Sequence, residues 1–283
     1  MSGEHELRMR ISELETEVSR LKARLRKWSP DVRSLLAHRG FQVFRSAATE
    51  KNLLLPPDPR YRGPYLRWFS RYSFRLFLRD VIRHGEAVPE GRTTRFVTSD
   101  VYDRYLNDLK RWGLIRCSSA GCALESQVRS LGPTLEWWVG HILKNRMGFS
   151  CLRQVFFRRL PVGGDFDLIA SVEGRITYIE VKSSPPKQIF QKEISAFLDR
   201  MNLLGPVLTV FLIDTELRMK DKLVPMLETG LQRIGTAKPE LQRLESELFH
   251  HEHRLYLVNA KGGIEENLRR VVADHLHARP GHL

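Results

Sequence analysis

The sequence predicts an α/β fold preceded by a largely helical N-terminal half, and three observations support this prediction. From residue 132 onward, short β-rich segments alternate with helical apolar patterns, as in a sheet covered by helices. Residues 4–28 repeat apolar side chains in heptads. A proline-rich connector (29–64) and a basic segment (65–127) lie between these parts. We therefore expect four segments, with boundaries after residues 28, 64 and 127.

Positive charge is concentrated in the N-terminal half of the chain. The 283 residues include 46 Lys and Arg against 33 Asp and Glu, a formal net charge of +13. Residues 1–130 hold 25 basic and 15 acidic residues (+10), and residues 131–283 hold 21 and 18 (+3). Arginine-rich sequence interleaved with aromatic residues is typical of proteins that bind nucleic-acid phosphates. We therefore predict a polyanionic partner; the alternative is a basic surface that only aids solubility.

The first segment predicts a short coiled coil. Its apolar residues are spaced alternately by four and three, at Leu7, Ile11, Leu14, Val18, Leu21 and Leu25. β-Branched residues at Ile11 and Val18, placed between leucines, favour a parallel coiled coil of two helices. We predict a homodimer through residues 4–28. The alternative is an amphipathic helix docked on its own chain, because three heptads are marginally stable alone.

Neither a membrane span nor a secretion signal is predicted. No run of about 18 apolar residues occurs, and the first ten residues, MSGEHELRMR, are charged. We therefore expect a cytoplasmic protein. Cys117 and Cys122 flank a turn and could face each other across a hairpin, and we predict reduced thiols for them. The histidines His250, His251 and His253 lack a fixed partner cluster, and we predict a polar surface tract for them.

The basic segment predicts two helices followed by a short hairpin. A helix over Leu66–His84 carries an arginine at every fourth position, and a helix over Ser99–Trp112 leaves a second polar face outward. This order of elements resembles a winged-helix domain, which implies that the later helix enters a DNA groove. The alternatives are a protein-interaction module and an arginine row that is only a solvated face. The predicted nucleic-acid-binding residues are Arg67, Arg71, Arg75, Arg79, Arg83, Arg104, Asn107, Lys110 and Arg111.

The last segment (128–283) predicts strands and helices in alternation. A helix over Pro133–Asn145 has proline at its start. Short β-rich stretches with glycine-containing turns between them predict strands. The predicted strands are Gln154–Leu160, Asp165–Val172, Ile176–Lys182, Val207–Ile213 and Leu255–Asn259. The further predicted helices are Gln188–Leu203 and Ile264–Leu276.

Two of these strands carry charged residues among apolar ones. Asp167 lies on one strand, and Glu180 lies on the next, across a turn at Glu173-Gly174. Glu180 and Lys182 are two residues apart, so both side chains share one face. Charges amid apolar residues are costly unless a metal or a partner compensates them. Carboxylates and carbonyl oxygens such as that of Val181 suit Mg²⁺, and a lysine beside them suits phosphodiester hydrolysis. The alternative is an exposed cross-strand charge pair.

The motif resembles that of the PD-(D/E)XK, or restriction-endonuclease-like, nuclease superfamily. Asp167 in GDFDLIA and Glu180-Val181-Lys182 in YIEVKSS match its paired strands, and GPTLEWWVGHILKN offers Glu136 as its helical acid. The resemblance covers roughly residues 132–215. It implies a restriction-endonuclease-like mixed sheet flanked by helices, with Asp167, Glu180, Lys182 and Glu136 as catalytic residues.

The resemblance also implies the metal site. Its ligands would be Asp167, Glu180, Val181 and Glu136, binding Mg²⁺ with Mn²⁺ as a substitute. Asp165 is a rival or auxiliary ligand, because it lies two residues before Asp167 on the same face. Gln188 is a further auxiliary candidate. The sequence departs from the family pattern at one position, where phenylalanine rather than proline precedes Asp167.

The function implied by these features is a Mg²⁺-dependent DNA endonuclease. It would act as a dimer on duplex or branched DNA, in repair, recombination or defence. The alternatives are a DNA-binding or assembly protein whose nuclease fold is silent, and a nuclease that acts on RNA.

Overall fold

The computed structural model describes residues 7–21 (except 8, 12 and 19), 31–84 (except 48), 97–118, 121–159 and 163–278. Eight strands form its main sheet, in the order β1-β4-β5-β6-β7-β10-β9-β8. β6 pairs in parallel with β7, and β7 with β10, whereas the other neighbours are antiparallel. The sheet is therefore mixed, as predicted. Its strands are β1 (Val43–Arg45), β4 (Ser150–Phe157), β5 (Phe166–Val172), β6 (Arg175–Lys182), β7 (Leu208–Ile213), β8 (Gln242–Glu245), β9 (Leu248–His251) and β10 (Leu255–Val258).

Helices cover both faces of the sheet, which confirms the predicted α/β class. One hydrophobic cluster packs helices α3, α4, α5, α6 and α9 against the sheet face that carries Leu168 and Ile179. The other joins α2, α7 and α8 to the face that carries Ile169 and Tyr178. The helices are α1 (7–21), α2 (Val32–His38), α3 (Arg62–Phe69), α4 (Tyr72–His84), α5 (Ser99–Arg111), α6 (Gly132–His141), α7 (Gln191–Leu204), α8 (Leu223–Arg233) and α9 (Ile264–His277).

A tight hairpin joins β5 to β6. Val172 pairs with Arg175, so Glu173 and Gly174 form a two-residue loop. Both have positive φ (48° and 71°), which is the backbone that suits the twist of paired strands. The turn fixes the register, and Leu168 pairs with Ile179 near the opposite end of the hairpin.

The arginine-rich part of the central segment is two helices rather than one. α3 ends at Phe69 and α4 begins at Tyr72, so the predicted single helix over Leu66–His84 is wrong. α5 follows, and β2 (Ile115–Ser118) then pairs with β3 (Gly121–Leu124). The predicted later helix and hairpin are present, but the apolar residues of this segment join the cluster that covers the sheet. The winged-helix resemblance and the boundary after residue 127 remain predictions.

The hairpin also corrects the prediction for its cysteines. Cys117 and Cys122 are direct cross-strand partners, and a disulfide joins them. We expected reduced thiols from composition alone. The strand register brings the two residues together, which their spacing of five did not settle.

Three elements near the C-terminus did not appear in the sequence prediction: α8, β8 and β9. His250 and His251 lie on β9 and are buried, so the predicted polar surface tract is wrong for them. His253 Nδ1 and the Tyr256 hydroxyl both bond Asp274 Oδ2, at 2.7 and 2.6 Å. Burial would raise the pKa of Asp274, but these hydrogen bonds outweigh it and hold that pKa below its usual value.

The apolar residues of α1 face solvent. Leu7, Ile11, Leu14, Val18 and Leu21 are between 45 and 65% exposed. The predicted sixth position of the repeat, Leu25, lies outside the described residues. Within the described part of the chain, no helix has the length and apolar character needed to cross a membrane.

Candidate active site

Asp167, Glu180 and Lys182 meet at one end of the β5–β6 hairpin. The pairing of Leu168 with Ile179 places Asp167 opposite Glu180, as the sequence predicted. The backbone N–H of Val181 donates a 2.7 Å hydrogen bond to Asp167 Oδ2. This bond fixes the aspartate against the strand that carries the other two residues.

Glu180 is the centre of a buried hydrogen-bond network. Lys182 Nζ and Arg200 Nη2 each lie 2.7 Å from Glu180 Oε1. The Tyr178 hydroxyl bonds Glu180 Oε2 and accepts a 2.9 Å hydrogen bond from Arg200 Nε. Tyr178, Glu180 and Lys182 alternate along β6 and therefore share a face, which α7 covers with Arg200.

Glu136 approaches the same centre from α6. Gln154 Nε2 donates a 3.1 Å hydrogen bond to Glu136 Oε2. Gln154 is the residue of β4 that falls opposite Asp167 in the strand register. Gln154 has a φ of 46°, which is unusual for a residue other than glycine. Strained backbone of this kind is often found at functional positions. The carboxylates of Glu136, Asp167 and Glu180 therefore come from one helix and two strands.

Two carboxyl groups of this site, those of Asp167 and Glu136, have raised pKa values. Burial raises the pKa of Asp167 well above its usual range, and the charges of Glu180 and Glu136 add to the rise. Burial raises the pKa of Glu136 to about 7, with Asp165 among the contributing charges. For Lys182, burial would lower the pKa, but attraction to Glu180 outweighs it and raises that pKa. Raised pKa values of buried acids beside other charges are typical of functional sites.

The donor set suits a hard divalent cation. In the described residues, no three His, Cys, Asp or Glu side chains stand close enough together to hold a metal ion as they are placed. Glu180 is instead held by Lys182 and Arg200. Asp167 and Glu136 have no ion-pair partner in the described part of the chain, and repulsion between them is the kind that a bound cation relieves. The carboxylates therefore fit Mg²⁺ chemically.

The auxiliary candidates occupy different positions. Asp165 is half-buried and near enough to Glu136 to influence its pKa. Gln188 is exposed, at the end of a short 3₁₀ helix (Pro186–Gln188). Val181 contributes its N–H to Asp167, and the role of its carbonyl oxygen as a ligand remains a prediction.

The predicted nucleic-acid-binding row is only partly on the surface. Arg75 is fully buried, so its prediction as a nucleic-acid contact is wrong. Arg79 is half-buried, and its guanidinium pairs with Asp214, as does that of Arg75. Asp214 explains the error, because this buried acid, distant in the sequence, pairs with Arg75 and holds its guanidinium inside the fold. The remaining members are exposed: Arg67, Arg71, Arg83, Arg104, Asn107, Lys110 and Arg111.

Arg200 and Tyr178 were not predicted as site residues. One signal in the sequence was available for Arg200. It follows Phe197 by three residues and precedes Leu204 by four, so it falls on the apolar face of α7. An arginine in that position needs a buried acid, and Glu180 is that acid.

Comparisons with known proteins show the fold. No protein-family model matches the chain, and no curated protein matches it. One similar solved structure is that of protein VC1899 from Vibrio cholerae, with a TM-score of 0.53 and 13% identity over 89% of this chain and 63% of that one. Another is Can2 from Sulfobacillus thermosulfidooxidans in complex with cyclic tetra-adenylate, with a TM-score of 0.51 and 12% identity over 85% of this chain and 61% of that one. The chain thus spans about three fifths of the length of each.

Proposed function

We propose that this chain is a metal-dependent nuclease that hydrolyses phosphodiester bonds in DNA. The observation that carries the proposal is the meeting of Asp167, Glu180 and Lys182 at one end of a buried hairpin, with Glu136 beside them. An arrangement that only stabilised the fold would not need two buried acids, Asp167 and Glu136, whose pKa values are raised by burial and by neighbouring carboxylates. The role would lie in repair, recombination or defence.

Each residue has a distinct part in this proposal. Asp167 and Glu180 would hold the ion, with Glu136 and the Val181 carbonyl oxygen completing the protein ligands. When bound, Mg²⁺ would neutralise charge on the scissile phosphate and make a water molecule more acidic. The Lys182 side chain is partly exposed, and its ammonium group, which bonds Glu180, would also bind the phosphate. Arg200 would keep the Glu180 carboxylate in place, and Mn²⁺ would substitute for Mg²⁺.

The structural comparisons are consistent with a nucleotide-related role. The Can2 structure contains cyclic tetra-adenylate. Because identity is low and each relative is longer than this chain, the comparison supports the fold and leaves the substrate to experiment. A nuclease acting on RNA would use the same residues, since the motif does not distinguish the two sugars.

The experiment that tests the proposal is a cleavage panel. Purified full-length protein is incubated with labelled linear, nicked, flapped and four-way DNA and with single-stranded RNA. We expect cleavage of at least one DNA substrate with Mg²⁺ or Mn²⁺, and no cleavage after EDTA is added. As an independent readout, Mg²⁺ should raise the melting temperature of the metal-free protein, because bound ligand stabilises the folded state.

Three outcomes would contradict the proposal. Tight, salt-sensitive DNA binding without cleavage of any substrate would favour the DNA-binding or assembly protein instead. Cleavage of RNA alone would move the activity to the RNase alternative. Cleavage that persists in EDTA would sink the metal dependence.

We also propose that α1 pairs two copies of the chain. Its exposed heptad residues lack a partner among the described residues, as a coiled-coil strand in a single chain would. The protein should therefore have the mass of a dimer in light scattering, and removal of residues 1–28 should reduce it to a monomer. A monomer mass for the full chain would rule out this role of α1.

A further inference from the structure

A cleft lined by arginines lies between residues of α3 and α5, and no residue of the candidate active site lines it. Its volume is about 560 Å³, within the range of roughly 300–1,000 Å³ that is typical of ligand pockets. We call it the arginine cleft. The residues that define it are Arg60, Tyr61, Arg67, Trp68, Arg71 and Arg111.

The arginine cleft has more positive charge than its own acids can balance. Arg60 pairs with Asp58 beside the cleft. In contrast, Arg67, Arg71 and Arg111 make no ion pair with any residue that the structure describes. The one acid in the lining is Asp108, and its Oδ2 accepts a 2.7 Å hydrogen bond from Trp68 Nε1. Three unpaired guanidinium groups around one cleft repel one another unless an anion lies between them.

The aromatic rings of the arginine cleft lie against its guanidinium groups. The Arg71 guanidinium lies 4.4 Å from the centroid of the Trp68 ring. Arg111 and Arg60 both lie 5.9 Å from the centroid of the Tyr61 ring, though that is a long contact. Aromatic rings and guanidinium planes are the surfaces on which unstacked nucleobases pack. A site for inorganic phosphate alone would need the arginines and not the rings.

We propose that the arginine cleft binds an unpaired nucleotide within a nucleic-acid strand. The base would stack against Tyr61 and Trp68, and the neighbouring phosphates would bind Arg67, Arg71 and Arg111. A duplex cannot use the rings in this way, because its bases already stack on one another. The inference rests on the proposed function for the identity of the ligand. It also narrows the predicted nucleic-acid surface, since Arg104 and Lys110 on α5 do not line the cleft.

Binding without cleavage separates this inference from the nuclease proposal. Fluorescence anisotropy in EDTA would measure the affinity of the full-length protein for a labelled single-stranded oligonucleotide, for the same strand with abasic sites, and for a hairpin duplex. The test variant is Arg67→Ala with Arg111→Ala. The matched control is Arg175→Ala with Arg254→Ala, which removes the same charge from exposed positions outside the cleft. A third variant, Tyr61→Ala, tests stacking, and thermal melting checks that each variant is folded.

We expect the cleft variant to bind the single strand about tenfold more weakly or worse, with a salt slope shallower by roughly 1.4 because two phosphate contacts are lost. The control should stay within about threefold of the wild type. Abasic sites should weaken wild-type binding on the order of tenfold, and much less in Tyr61→Ala.

Three results would overturn the inference. The cleft and control variants could lose affinity equally, or the duplex and the abasic strand could bind as well as the intact single strand. Inorganic phosphate could also displace the oligonucleotide as effectively as unlabelled single strand does. If the binding predictions hold and the cleavage panel shows no cutting, the nuclease proposal fails, but the arginine cleft is still established as a nucleotide-binding site.

Discussion

Replacement of Asp167 by Asn should reduce DNA cleavage about a thousandfold or more and leave DNA binding unchanged. The asparagine oxygen can still accept the hydrogen bond that Val181 N–H donates, so the local structure is retained. What is lost is a charged ligand for the ion, whose stabilisation of transition-state charge is worth several kcal/mol. A loss of about 4 kcal/mol corresponds to that change in rate. Single-turnover cleavage with saturating enzyme measures it.

The same substitution should stabilise the metal-free protein. The pKa of Asp167 is raised in the folded state, so the fold favours the protonated form and is penalised as the group ionises. The penalty begins near pH 4, the usual value for Asp, and grows until pH passes the raised folded-state pKa. In EDTA, the melting temperature of Asp167→Asn should therefore exceed that of the wild type by a margin that increases with pH.

A matched control is Asp199→Asn, which changes the same residue type on the surface of α7, where it pairs with Arg233. It should alter neither cleavage nor the pH dependence of melting. Full cleavage by Asp167→Asn would refute the catalytic assignment. Reduced cleavage together with lower stability would show that Asp167 acts through the fold instead.

The hairpin that carries this site could be predicted from local sequence alone. Two-residue turns at Glu173-Gly174 and alternation along β6 are short-range features, and they place Asp167, Glu180 and Lys182 together whatever the rest of the chain does. Arg200 could not be placed so directly, because its contact with Glu180 depends on how α7 packs on the sheet.

The burial of Arg75 could not be predicted from local sequence. Its place in a row of arginines favours an exposed position, and no neighbouring residue in the sequence indicates its partner. That partner, Asp214, is 139 residues away, and only the tertiary fold brings the two together. The buried histidines of β9 were missed for a related reason, since three clustered polar residues resemble a loop unless the neighbouring strand is known.

Loss of Asp214 should destabilise the protein by about 3–5 kcal/mol, because it would leave a buried arginine without a counter-charge. Arg75 and Asp214 are both fully buried. Arg75 Nε donates to Asp214 Oδ1 and Oδ2, at 2.9 and 3.0 Å. Arg75 Nη2 donates to Asp214 Oδ1 at 2.8 Å. Its Nη1 donates to the Phe69 carbonyl oxygen, so the guanidinium has no route to solvent. Urea unfolding of Asp214→Ala at neutral pH measures the cost.

Asp199→Ala provides the comparison for this prediction as well. It breaks a surface ion pair with Arg233, in which both side chains are more than a third exposed, and should cost about 1 kcal/mol or less. Equal losses for the two variants would contradict the role of the buried pair.

Arg79 also pairs with Asp214, so the triple variant Arg75→Met, Arg79→Met and Asp214→Leu separates the value of the ion pairs from the cost of an unpaired charge. It should recover most of the stability lost in Asp214→Ala, because apolar side chains of similar size often replace a buried ion pair at little cost. The pair also has a consequence for the active site. The Asp214 N–H donates a 2.8 Å hydrogen bond to the Lys182 carbonyl oxygen, so Arg75 connects α4 to the strand end that carries the candidate catalytic lysine. If that connection positions Lys182, the triple variant should be stable and yet cleave more slowly than the wild type.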